Sequence, residues 1–243
     1  MKKHTLALIA LISILSMPIS ASAFVLGPTT PGKWGGPAMG TGATVTWSLM
    51  PTGSSCAAEF AGCTMTSLAD FMPAGFITVV QNAFAAWSAV ANITFVQVAD
   101  DGAAFDAATT SGDIRLGGHA FDGPSGVLAH GYYPPNNGSS AAGDIHFDVD
   151  ELWKLGFGGP GFDLFQVLTH ELGHAIGLAH SVVPNSLMNP FYTETFSGPQ
   201  ADDIAGAQFI YGTPVIVEVP EPATLALFGL MLAGLAYTRR VSR

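Results

Sequence analysis

The chain has 243 residues, 18 of them acidic, 8 basic and 2 cysteine, with a formal net charge of −10. Its basic residues gather at the two ends, so residues 24–219 set seventeen acids against Lys33, Arg115 and Lys154, and a surface of that sign repels phosphate backbones and argues against a nucleic-acid partner. Two cysteines cannot build a thiolate-rich metal site, which leaves histidines and carboxylates as the donors for any zinc. The acidity itself fits a soluble exported protein, and bound divalent cations would offset part of it.

The first residues, Met1-Lys2-Lys3-His4, precede an apolar run from Leu6 to Ile19 that ends in Ala21-Ser22-Ala23. This is the layout of a secretory signal peptide, with the cut by signal peptidase expected after Ala23. The stretch from Phe24 to Gly42, rich in Gly and Pro, reads as an extended lead-in too short for an inhibitory pro-domain. Residues 24–212 make one domain with its own core.

Ala43 to Leu49 alternates and is β-branched, which predicts a strand. A Gly-, Ser- and Cys-containing insertion follows, and its isolated pair Cys56 and Cys63 predicts a disulfide in an exported chain. Pro73 opens a helix over Ala74 to Val90, where Phe76, Val79, Val80, Ala83, Phe84 and Trp87 recur at three- and four-residue steps. Asn92 to Val98, Asp113 to Leu116, Val127 to Tyr133 and Asp144 to Val149 read as four further strands separated by turn chemistry. Phe162 to Leu178 is a second helix with Gly177 near its end, and Gln200 to Tyr211 a third. Without an internal repeat, the pattern predicts an α+β domain of one mixed, twisted five-stranded sheet and three helices.

Inside the second helix lies His170-Glu171-Leu172-Gly173-His174-Ala175-Ile176-Gly177-Leu178-Ala179-His180. Residues four apart share a helix face, so His170 and His174 can turn two imidazoles to one ion while Glu171 reaches a water on it. Gly177 lets the chain swing His180 back as a third ligand, a turn that continued helix would not permit. Three nitrogens and a water form the open zinc site of a hydrolase, with Glu171 as catalytic base for cleaving an amide. Ser186-Leu187-Met188-Asn189-Pro190 places Met188 in a turn at the distance where metzincins pass their chain beneath the zinc. As an ordinary residue Met188 would be core filling, and an apolar floor is the same role.

Over about residues 34–212 the chain resembles the matrixins, the matrix-metallopeptidase branch of the metzincins. The resemblance rests on Phe121-Asp122-Gly123-Pro124-Ser125-Gly126-Val127-Leu128-Ala129-His130, on Gly143-Asp144-Ile145-His146-Phe147-Asp148-Val149-Asp150-Glu151-Leu152-Trp153, and on the helix 162–178 through Asp202-Asp203-Ile204-Ala205-Gly206-Ala207-Gln208. It implies a zincin-like fold with a Met-turn and a zinc-dependent endopeptidase acting on protein or peptide. By the same resemblance His130 and His146 are structural-zinc ligands, and Asp122, Asp148 and Glu151 bind calcium with the carbonyls of Gly123, Ser125 and Val127. Carboxylates around Gly-rich turns suit calcium. Asp113 and Asp144 are either part of a second calcium site or solvated turn residues.

Between Asp113 and Asp122 matrixins carry a longer loop with a His-x-Asp pair that completes the structural zinc, and here only Ile-Arg-Leu-Gly-Gly-His119-Ala-Phe is present. Either His119 stands in as third ligand, with a carboxylate or water as fourth partner, or the site is lost and these histidines only hydrogen-bond. The resemblance further implies a substrate aligned along Val127 to Gly131 and a pocket walled by Pro190-Phe191-Tyr192. It offers no cysteine-containing pro-segment and no propeller domain.

Residues 213–243 hold Val219-Pro220-Glu221-Pro222, an apolar run from Ala223 to Tyr237, and Arg239, Arg240 and Arg243. This order resembles the PEP-CTERM sorting signal of Gram-negative bacteria, which implies a transient inner-membrane anchor, processing by an exosortase, and delivery to the cell surface or extracellular matrix. The run is short for a bilayer-spanning helix. Three functions compete: an active monomeric endopeptidase, a non-catalytic matrix or adhesion module that keeps the metals for stability, and a peptidase that processes only itself. Glu171 favours catalysis, because a purely structural zinc has no use for a base.

Overall fold

The computed structural model describes residues 24–135, 140–215 and 231. The predicted signal peptide and, apart from Met231, the apolar run 223–237 lie outside them, and among the described residues no helix is long and apolar enough to cross a membrane. Contacts divide the chain into Met1–Thr213 and Pro214–Arg243, and every element named below belongs to the first unit.

In chain order the elements are β1 (Val25–Leu26), β2 (Ala43–Leu49), α1 (Leu68–Phe71), α2 (Phe76–Ser88), β3 (Ile93–Gln97), β4 (Ile114–His119), β5 (Ala129–Gly131), β6 (Ile145–Asp148), β7 (Trp153–Lys154), β8 (Phe162–Asp163), α3 (Leu164–Ala175), β9 (Leu178–Ala179) and α4 (Ala201–Tyr211). The main sheet runs β3-β2-β4-β6-β5 and is mixed: every pairing is parallel except β5 with β6. That is the expected α+β architecture, with a four-residue fourth helix, α1, too short for apolar periodicity to reveal. The small pairs β1 with β9 and β7 with β8 are two residues long and equally invisible to alternation.

The sheet buries both faces, and its strands sort their side chains by the two-residue period. Val45, Trp47, Ile114, Leu116, Ile145 and Phe147 join the main core, where they meet Val80, Phe84 and Trp87 of α2 and Leu164, Leu168 and Leu172 of α3. Trp87 Nε1 donates to the Thr169 carbonyl at 2.9 Å, fixing α2 against α3. The opposite face carries a smaller core of Met50, Cys56, Met65, Phe105 and Ala141.

Strand β4 continues past its predicted end at Leu116 to His119, through two glycines that do not read as strand. Both are dictated by close approach. A Cβ on Gly117 would stand 3.0 Å from the Met50 sulfur, and one on Gly118 would meet the Phe71 ring at 2.6 Å. Strand β5 is shorter than Val127–Tyr133 because the Val127 N–H donates to the Asp122 carboxylate instead of the ladder. Helix α3 starts two residues late because Asp163 caps it, accepting from Gln166 N at 2.9 Å.

Candidate active site

Helix α3 ends at Ala175, three residues short of the predicted Leu178, which belongs to β9. Its last carbonyls are met by long side chains: Trp34 Nε1 donates to Ala175 O at 2.7 Å and Tyr211 Oη to Ile176 O at 2.9 Å. Gly177 then takes φ 111°, and a Cβ there would run into the Gly32 carbonyl. The turn carries the chain into β9 and brings His180 back to the helix, as its position after Gly177 predicts.

His170, His174 and His180 each present one ring nitrogen, all within 4.8 Å of one another, and this group contains no fourth donor among the described residues. The Nε2 atoms of His174 and His180 are 3.2 Å apart. His170 Nδ1 lies 2.7 Å from the Leu187 carbonyl and His174 Nδ1 2.7 Å from the Leu178 carbonyl. A carbonyl only accepts, so each Nδ1 carries the proton and each Nε2 keeps its lone pair for the shared point. Burial pushes His170 down to about 4 and His174 down to about 3, and it lowers His180 as well, so the rings are neutral donors at neutral pH.

Glu171 stands beside them, almost wholly buried. Burial drives its carboxyl up to about 8 against the opposing pull of the Gly131 N–H on β5. Beneath the trio runs the turn 186–190. Met188 is buried, and a Cβ on Gly173 would collide with its sulfur, so the helix must be bare at that point. Asp203 of α4, singled out by no functional reading of the sequence, holds this turn. Its carboxylate accepts from Leu187 N at 2.7 Å, Met188 N at 3.1 Å and the Ser186 hydroxyl, while capping α4 through Gln200 N. The advance signals were its place in the stretch 202–208 that carries the resemblance and a pair of acids in the first turn of a helix.

The trio opens on a cleft of about 480 Å³ that reaches His170, Glu171 and His180. Pro190 and Tyr192 line it, together with Leu128 from the stretch 127–131 and with Phe162, Gln166 and Val167, which the sequence did not mark. Strand β5 forms one wall and is an edge of the sheet, paired with β6 on one side only. Tyr192 Oη accepts from Asp163 N at 2.8 Å and donates to Glu194, which in turn pairs with Lys154 at 2.6 Å, so the cleft wall is braced from below.

The second predicted histidine trio also meets, and with an added partner. His119, His130, His146 and Glu59 bring their donor atoms within 4.8 Å of one another. Glu59 comes from the insertion after β2, where Cys56 and Cys63 form the expected disulfide.

The calcium candidates are not drawn to one point in this way. Asp122 accepts from Val127 N at 3.1 Å, and Glu151 from Ser125 N at 2.6 Å, so both carboxylates face the backbone of the loop 121–127. Gly123 and Ser125 give that loop its positive φ values, 85° and 67°. Asp148 accepts from Asp150 N at 2.9 Å, and its Oδ2 is buried with no hydrogen-bond partner. Asp113 is taken up by the N–H and hydroxyl of Thr46, and Asp144 accepts from Arg115 N at 3.0 Å; neither belongs to a donor group.

A family model described as Matrixin matches residues 64–212, and one described as a PEP-CTERM protein-sorting motif matches residues 218–240. Among curated proteins, karilysin of Tannerella forsythia is 38% identical over 150 residues, which is 58% of this chain and 30% of that protein. Interstitial collagenase of Bos taurus is 41% identical over 151 residues, 58% of this chain and 30% of that protein. Matrix metalloproteinase-16 of Homo sapiens is 50% identical over 107 residues, 42% of this chain and 17% of that protein. The matched part thus spans less than a third of each relative.

Proposed function

The chain belongs to the matrixin family of zinc metalloendopeptidases, and on that premise we propose that it is an exported endopeptidase that hydrolyses peptide bonds in extracellular or surface proteins. The observation that carries this reading is the convergence of three neutral imidazoles beside a buried carboxylate at the wall of an open cleft.

The donor set fits zinc: three nitrogen ligands with their second nitrogens tied to backbone carbonyls, and no fourth protein donor in the group. His170, His174 and His180 would hold it. Zinc bound there supplies Lewis-acid polarisation of the scissile carbonyl and a more acidic water. Glu171 takes the proton of the attacking water and passes it to the leaving amine, a role suited to a buried carboxylate next to the three ligands. The free edge of β5 receives the substrate backbone as an added strand, and one substrate side chain enters the cleft between Leu128, Val167 and Tyr192. Calcium, which the family also uses, is assigned to the loop 121–127, with Asp122, Glu151 and the unpartnered Asp148 Oδ2 as donors.

The PEP-CTERM motif marks the chain for export and surface sorting in a Gram-negative bacterium, with exosortase as the processing enzyme. That puts the substrates outside the cytoplasm. The test is Glu171→Gln in the full chain. Hydrolysis of casein or gelatin is expected to vanish with zinc content unchanged, and equal hydrolysis by both proteins overturns the assignment of the base.

A further inference from the structure

The second histidine group lies on the sheet face turned away from α3, and strand geometry explains its assembly. His130 of β5 is directly opposite His146 of β6, and Gly117 of β4 is level with His146 from the other side. Two residues along β4, on the same face, comes His119. Three adjacent strands therefore turn three imidazoles toward one spot. The fourth element over that spot is the disulfide loop. Cys56 N donates to Cys63 O at 3.1 Å, and the N–H groups of Glu59 and Phe60 both donate to Cys56 O. That tight turn points the Glu59 carboxylate inward, its side chain 8% exposed, while the Phe60 ring packs on His119 with centroids 5.3 Å apart.

Glu59 Oε2 lies 2.7 Å from His146 Nδ1 and 3.3 Å from His119 Nε2, and Oε1 lies 2.7 Å from His130 Nε2. Yet the Nε2 atoms of His119 and His130 are buried without a hydrogen bond: the oxygens are near but off the line of the ring N–H. His146 Nδ1 does hydrogen-bond Glu59 Oε2, but its own Nε2 is left without a partner, and the two nitrogens aimed past the carboxylate have the arrangement of ligands aimed at a common cation. In a tetrahedral zinc site, donors about 2 Å from the metal stand roughly 3.3 Å from each other, the spacing seen here between His119 and Glu59.

We propose that the Cys56–Cys63 loop is a metal clamp, in which Glu59 supplies the fourth ligand of a closed zinc site completed by His119, His130 and His146, and the disulfide holds that ligand in place. The residue that completes the site thus comes from some sixty positions upstream of His119, replacing the His-x-Asp pair missing between β4 and Asp122. Three imidazoles and one carboxylate leave no corner for water, so the site stabilises without catalysing. Closing the loop before the metal arrives removes most of the entropy of placing Glu59, so zinc retention depends on the disulfide as well as on the carboxylate.

The clamp does not rest on the peptidase reading, and its test reads metal content alone. In the full chain made in an oxidising compartment, zinc per chain is measured by elemental analysis and native mass spectrometry during titration with a competing chelator. The His174→Ala background removes a ligand of the first site, so that the retained zinc reports the second. There, one zinc per chain is expected, with Glu59→Gln losing it at a chelator concentration at least about tenfold lower. Cys56→Ser with Cys63→Ser should weaken retention in the same direction, and Glu59→His, which puts a neutral nitrogen donor in place of the carboxylate, should retain the metal better than Glu59→Gln. Rescue by Glu59→His separates ligation from mere misfolding. Zinc absent from the His174→Ala protein, or held equally well by Glu59→Gln, overturns the clamp. Unaltered retention in the double Cys variant overturns the part assigned to the disulfide.

Discussion

Two histidine trios sit on opposite sides of one sheet, and they are built in opposite ways. The first is made by a single continuous stretch, one helix and the turn after it, with its nitrogens braced by backbone carbonyls and its fourth corner facing a cleft. The second draws one residue from each of three strands and a carboxylate from a distant loop, and it is packed around by Phe60, Phe105, Phe121 and Tyr132. On the proposed readings, the same ligand chemistry would be reactive where a corner is left to solvent and inert where the protein fills it. Electrostatics follow the same division. His146, deeply buried, is pushed down to about 4, whereas in His119 burial is outweighed by Glu59 and the pKa rises. Glu59 itself stays ionised: burial opposes its charge, but the three facing histidines hold it far below the ordinary carboxylate range.

The sharpest way to break the comparison is Glu171→Gln. Loss of the base should lower kcat/KM by about 10²–10⁴-fold with stability and zinc content unchanged, since the effect belongs to the open site alone. On the closed side, His146→Ala should cost about 1–3 kcal/mol by denaturant unfolding, because it leaves the Glu59 carboxylate one hydrogen-bond partner short. If that variant unfolds like the parent, the second trio is not the stabilising element described.

Gly173→Ala tests the floor beneath the first trio. Its new methyl meets the Met188 sulfur, and overpacking of this kind should cost about 1–3 kcal/mol of stability and shift the helix that carries His170 and His174. Thermal unfolding and zinc affinity measured together check it. The smallest effect concerns selectivity. Gln166 lines the cleft while its Oε1 accepts from Gly198 N at 3.3 Å, so Gln166→Leu should raise the preference for long apolar side chains by about 10-fold, read from a peptide library, with casein turnover retained.

The two regions also differ in how far they could be read from the chain. The motif from His170 to His180 is local: helical period fixes two ligands, a glycine fixes the turn, and no distant contact is needed to name the third. The strands β2 and β3 and the helix α2 were legible because alternation and three-to-four spacing act within one element. Strand β4 was read too short because its glycines answer to Met50, Met65 and Phe71, residues remote in sequence.

Asp203 and Glu59 passed unmarked for the same reason. One acts on a turn some fifteen residues away and the other on strands sixty and more residues downstream, and neither lies in a pattern of its own. The amino-acid sequence by itself determined the family, the open trio and the carboxylate beside it, because local backbone geometry carries them. Only the tertiary structure decided which side chains close the second trio, since strand order and loop docking are set by burial across the whole core and not by neighbours along the chain.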